Sequence, residues 1–166
     1  MATRSAAGRC DVMEYLAAPV PPLADDSISF LVMSLARRLN RGASDFYLRR
    51  FDIGMADFRV LMALGLSPGL NVGAVALAAD VDKAAASRSL RFLEERGFVQ
   101  MEQTSTRGRA AIVHLTAEGV AYEREIRRAA RRREKRFIAS LAPQERAQAA
   151  DLIRKLIGNV PDMNKD

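Results

Sequence analysis

One cysteine, one histidine and no tryptophan occur in the 166 residues. Cys10 and His114 exclude an internal disulfide framework, a Cys/His zinc cluster and any Cys/His catalytic pair other than their own. There is no phosphate-cradling glycine-rich loop, no pair of histidine ligands and no nucleophile elbow on a strand-to-helix turn. No catalytic residue, metal ligand or cofactor is therefore expected. Long apolar runs are missing too. Met1 to Asp26 carries Arg4, Arg9, Asp11 and Glu14 where a signal peptide needs an uninterrupted apolar stretch, and nothing further along is long enough to span a bilayer. The expectation is a cytoplasmic protein without a membrane partner, and a lone thiol fits a reducing compartment.

What is present is 49% apolar and 28% charged, enough for a core, and the length suits one domain preceded by an arm. Lys and Arg number 26 against 20 Asp and Glu, for a net charge of +6, which makes polyanions candidate partners. The excess is unevenly spread. Residues 117–166 hold 12 cations against 8 acids, whereas 71–116 hold 6 against 5.

Residues 1–26, rich in Ala and Pro, read as an arm with at most a short helix around Asp11 to Ala18. From Ser27 the apolar residues Ile28, Leu31, Val32, Leu35, Leu39, Phe46 and Tyr47 recur at helical steps, predicting one long amphipathic helix ending near Phe51. A shorter helix after Gly54 uses Phe58, Leu61, Met62 and Leu64, and stops at the breakers Gly65, Ser67, Pro68 and Gly69. Asn71 is placed to cap a helix over Val72 to Ala79, and Asp82 to cap another over Lys83 to Arg96. Gly97 suits the left-handed stop. Two helices joined by so short a turn make a helix-turn-helix.

The second of these helices turns Ala86, Leu90 and Leu93 inward, leaving Lys83, Ala84, Ala85, Ser87, Arg88 and Arg91 outside. Small residues let a backbone approach a groove, and long cations reach phosphates or guanine edges. Phe98 to Gln103 and Ala110 to Leu115 follow as two strands around a polar, basic tip containing Thr104, Thr106, Arg107 and Arg109. A hairpin in that position is a wing. Thr116 then caps a long Arg-rich helix from Ala117 to about Ser140, and Pro143 opens a last helix with the apolar stripe Leu152, Ile153, Leu156 and Ile157.

Phe58 to Leu64, the block Asp82-Lys83 with Ser87-Arg88, the ending Leu93-Glu-Glu-Arg-Gly97-Phe-Val and Leu115-Thr-Ala-Glu-Gly119 stand in one order at their separations. Together they resemble the MarR family of bacterial transcription regulators, from about Ser27 to Ile157. The resemblance implies a mainly α fold with a small β-hairpin wing: a winged helix-turn-helix head at 53–116 within a single domain, 27–166, whose helices at 27–52 and 117–160 dimerise. It implies a homodimer on a pseudo-palindromic operator in double-stranded DNA. It also implies a repressor released by a small aromatic or phenolic effector, bound between head and dimer helices, for which Phe30, Met33 and Phe58 are candidate lining residues. Two departures stand out. The family's wing commonly carries Asp two residues before its Arg, where this chain has Arg107 ahead of Arg109; and peroxide-sensing relatives place a reactive Cys near what is Ser29 here, whereas Cys10 lies in the arm.

The expected DNA contacts are Lys83, Ala85, Ser87, Arg88 and Arg91 on the recognition helix and Thr104, Thr106, Arg107 and Arg109 in the wing. The alternative is a sequence-tolerant architectural nucleic-acid binder working through the Arg-rich segment Tyr122 to Arg136. That segment also reads as a solvated helix carrying pairs such as Glu123 with Arg127. His114 reads as an ordinary strand residue, and the seven Met as core or pocket filler.

Overall fold

The computed structural model describes residues 7–20, 22, 27–102 and 111–165. The described elements are α1 (Ala7–Ala17), α2 (Ile28–Phe51), α3 (Met55–Leu66), β1 (Leu70–Asn71), α4 (Val72–Ala78), α5 (Lys83–Glu95), β2 (Val99–Glu102), β3 (Ile112–Leu115), α6 (Ala117–Phe137) and α7 (Pro143–Met163). They fall into two compact units, up to Glu123 and from Arg124 onward. No helix among the described residues is long and apolar enough to cross a membrane.

In the first unit the arm is more helical than its composition suggests, since α1 begins at Ala7. It ends before Pro19, and its open carbonyls are taken up by one side chain. The Arg38 guanidinium on α2 donates to the backbone oxygens of Tyr15 (3.2 Å), Leu16 (3.0 Å), Ala18 (2.8 Å) and Pro19 (3.1 Å). Cationic donors at a helix C-terminus satisfy the groups that the helix itself leaves unpaired. Arg41 adds a cation–π contact, 4.7 Å from the Tyr15 ring. The arm is thereby fastened to α2 of its own chain.

Helix α2 ends at Asp52, which is left-handed (φ 52°) and donates its N–H to Leu48 O. Only its last turns are buried: Tyr47 and Phe51 join Phe46, Phe58, Phe98 and Tyr122 in an aromatic cluster, with Tyr47 stacked on Phe58 at 4.2 Å and Phe98 on Tyr122 at 4.1 Å. Gly54 has no side chain to cap α3, so Asp57 reaches back to accept from its N–H at 2.8 Å. Val60, Leu61 and Leu64 on α3, Val75 on α4, Leu90 and Leu93 on α5 and Val113 on β3 complete the core.

The strands form one antiparallel sheet in the order β1-β3-β2, with Gln100 opposite His114 and Met101 opposite Val113. Strand β1, which pairs Leu70 with Val113, was not foreseen; two residues carry no readable alternation. Gly69 (φ +77°) turns the chain into it. The Thr-Ala-Glu-Gly segment locks the far side. Thr116 Oγ1 donates to Gly97 O (2.7 Å) and accepts from Gly119 N (3.0 Å), while Thr116 N donates to Phe98 O (3.1 Å). A Cβ on Gly119 would lie 1.9 Å from Phe98 O, so only glycine lets these two backbones come so close.

The second unit comprises α6 from Arg124 and the whole of α7. No residue of α7 is buried, although Leu152, Ile153, Leu156, Ile157, Val160 and Met163 line it with an apolar stripe.

Candidate nucleic-acid interface

The geometry of α4 and α5 is set by two side-chain caps on either side of a tight turn. Asn71 Oδ1 accepts from Ala74 N (2.9 Å) and Asp82 Oδ1 from Ala85 N (2.7 Å), as the sequence predicts. Between them Asp80 is left-handed (φ 52°), a conformation Asp tolerates. Arg59 of α3 donates to its carbonyl at 2.9 Å, tying the turn to the core. At the other end Gly97 takes φ +73° and closes α5.

Helix α5 buries Ala86, Ser89, Leu90 and Leu93. Ser89 extends the expected inner face by one residue, on the row between Ala86 and Leu93. On the outer face Lys83, Ala84, Arg88 and Arg91 are exposed and Ala85 and Ser87 half-buried. Arg91 Nη2 and Ser87 Oγ stand 3.5 Å apart. Lys83 and Arg88 have no hydrogen-bond or ion-pair partner among the described residues. Residues 83–93 contain no acid, so this face is uniformly cationic. It can offer unneutralised long cations at the surface beside a flat Ala floor, the combination that a groove-reading helix requires.

Arg96 behaves differently, and sequence reasoning gave it no role. It donates to Asp52 O (2.8 Å) and Asp52 Oδ2 (3.2 Å), and its guanidinium lies over the rings of Phe92 and Phe98. It fixes the end of α5 to the end of α2. Nothing in local periodicity marks this, because its partner is 44 residues away.

Gln103 to Ala110 lie outside the described residues, and with them the expected wing contacts Thr104, Thr106, Arg107 and Arg109. The strands that would carry the tip, β2 and β3, are formed. Of the expected pocket residues, Phe30 and Met33 are exposed on α2, and Phe58 is half-buried against Tyr47. Gly65 to Gly69 spells G-x-S-x-G, but Ser67 closes α3 and a strand follows it, the opposite of the strand–Ser–helix order of a nucleophile elbow.

A sequence profile of the MarR family matches residues 51–110, a span covering α3, the helix-turn-helix and the first wing strand. A protein of Thauera aromatica, described as a transcriptional regulatory protein for the hcr operon, is 30% identical over 99 residues. The match spans 60% of this chain and 60% of that protein. Among solved structures, a MarR/EmrR family transcriptional regulator from Acinetobacter sp. ADP1 superimposes with a TM-score of 0.72 at 27% identity, over 81% of this chain and 94% of the other. Residues 51–110 thus match the MarR family, and the fold over four fifths of the chain is that of a MarR-family regulator. The PcaV transcriptional regulator from Streptomyces coelicolor, solved with its natural ligand, is a further MarR-like neighbour: TM-score 0.69, 26% identity, 85% of this chain and 98% of that one. The family consists of winged-helix transcription regulators, in which DNA binding and ligand responsiveness are typical.

Proposed function

We propose that this protein is a sequence-specific DNA-binding transcriptional repressor of the MarR family that acts in the cytoplasm as a homodimer and is released by a small aromatic or phenolic effector. The observation that carries the reading is the outer face of α5, where Lys83 and Arg88 stand exposed and unpartnered on a helix held by caps at its start and by Gly97 at its end. Lys83, Ala85, Ser87, Arg88 and Arg91 would lie in a major groove, and Thr104, Thr106, Arg107 and Arg109 would reach the backbone or the adjacent minor groove. The protein performs no catalysis on this reading.

Dimerisation is supported by the unburied apolar faces of α2 and α7. Ile28, Phe30, Leu31, Val32, Met33, Leu35 and Leu39 on α2 and the stripe on α7 are each 40% exposed or more. Amphipathic helices of that length gain most of their stability from packing such a face, and two-fold symmetry would let like faces meet. Release by an effector follows from geometry: a ligand that binds better to a head spacing unlike the operator's lowers DNA affinity by that preference. Phe30, Met33 and Phe58 remain the proposed lining residues.

The test is a gel shift on the protein's own promoter region against random duplex at physiological salt. Retention of the promoter fragment at concentrations that leave random DNA free supports the reading. Equal affinity for both would overturn it in favour of the sequence-tolerant binder.

A further inference from the structure

The second unit contains a groove of about 420 Å³ lined by Arg132, Lys135, Arg136, Ala139 and Arg146. Arg132, Lys135 and Arg136 share one face of the end of α6, and Ala139 lies in the turn that follows. Arg146 comes from the first turn of α7 and is folded back over the connecting turn, its Nε donating to Leu141 O at 2.9 Å. Four cations thus converge from both sides of one hairpin, and no acid lines the groove.

Several cations elsewhere are paired with a nearby acid. Arg49 is bridged to Asp45, Arg154 to Asp151 (2.7 Å) and Lys165 to Asp162 (2.6 Å). Arg132, Lys135 and Arg136 have no such partner among the described residues, and both Nη groups of Arg146 are left for another acceptor. The nearest acid in the turn, Glu145, is engaged in capping α7, where its Oε2 accepts from Ala142 N at 2.7 Å. Four like charges held around one concavity repel one another, and an anion seated among them removes that repulsion.

We infer that this groove is a binding site for a small polyanion carrying at least two phosphate groups. Three guanidinium forks match phosphate oxygens two at a time, while Lys135 supplies a point charge. The volume lies within the roughly 300–1,000 Å³ usual for small-molecule sites. Four cationic heads with no acid among them make this site separate in chemistry from the proposed effector pocket. It also uses none of the residues assigned to DNA, so its occupancy is measured with no DNA present.

The test is calorimetric titration of the full-length protein with pyrophosphate at fixed ionic strength, with Arg132→Gln/Arg136→Gln against Arg128→Gln/Arg131→Gln. Both double variants remove the same charge from exposed positions of α6, and only the first touches the groove. Circular dichroism of each checks that the helices persist. One pyrophosphate per protomer, weakened tenfold or more in the first variant and less than twofold in the second, supports the site. Equal weakening in both, or no pyrophosphate binding by the unaltered protein, overturns it. A second arm adds random duplex DNA. Competition lost only in the first variant assigns the phosphates to a nucleic-acid backbone, and absence of competition assigns them to a small molecule.

Discussion

The head and the carboxy-terminal helices are built on opposite plans. Between Tyr47 and Val113 the head closes a core in which Val60, Leu61, Leu64, Val75, Leu90 and Leu93 are almost wholly shielded, yet 71–116 contribute a net charge of only +1. The last 50 residues contribute +4, and α7 buries nothing while presenting six large apolar side chains. The head thus closes its own core and is economical with charge, whereas the apolar stripe of α7 stays unburied within the chain. The bulk positive charge, the first feature to suggest DNA, lies mostly away from α5, the helix proposed to read it.

This contrast is most severely tested on α7. If the proposed dimer packs through this stripe, replacing Leu156 and Ile157 by Asp should yield monomers, as read by sedimentation equilibrium, with the head's core intact. Burying each such side chain is worth roughly 1.5–3 kcal/mol and a two-fold interface uses each twice. The loss is then at least ~6 kcal/mol, or about four powers of ten in the dissociation constant. An unchanged dimer would mean that the stripe on α7 is not the interface.

A smaller effect belongs to the head alone. Gly119→Ala forces a methyl group onto Phe98 O, and backbone cannot yield as a flexible side chain does. A loss of about 3 kcal/mol is expected, seen as a lowered urea midpoint. Smaller again, Asp82→Ala removes the cap on Ala85 N and should cost about 1 kcal/mol. A larger loss than from Gly119→Ala would show that α5 depends on its cap more than on its buried face.

Most of the fold was readable because its signals are local. Asn71, Asp82 and Gly97 mark helix ends through chemistry acting over three or four residues, and the α2 and α7 stripes repeat over several turns. The inner face of α5 was legible as Ala86, Leu90 and Leu93 for the same reason. What escaped was short or distant. Strand β1 has two residues, the Arg38 clamp spans about twenty positions, and Arg96 meets Asp52 across 44. Of the site, the outward cations of α5 followed from helical phase, whereas the groove formed by Arg132, Arg136 and Arg146 needed the turn between α6 and α7 to be folded before the charges came together.

The central claim is that DNA is read by α5 and not by the abundant charge of α6. It is tested most directly by measuring affinity for a promoter fragment with Arg88→Ala and, separately, with Arg127, Arg128, Arg131 and Arg132 all changed to Gln. The account predicts that Arg88→Ala costs about 1–3 kcal/mol, roughly 5- to 150-fold, and relaxes sequence preference, while the fourfold change on α6 has the smaller effect. Abolition of binding by the fourfold change with Arg88→Ala almost silent would contradict it.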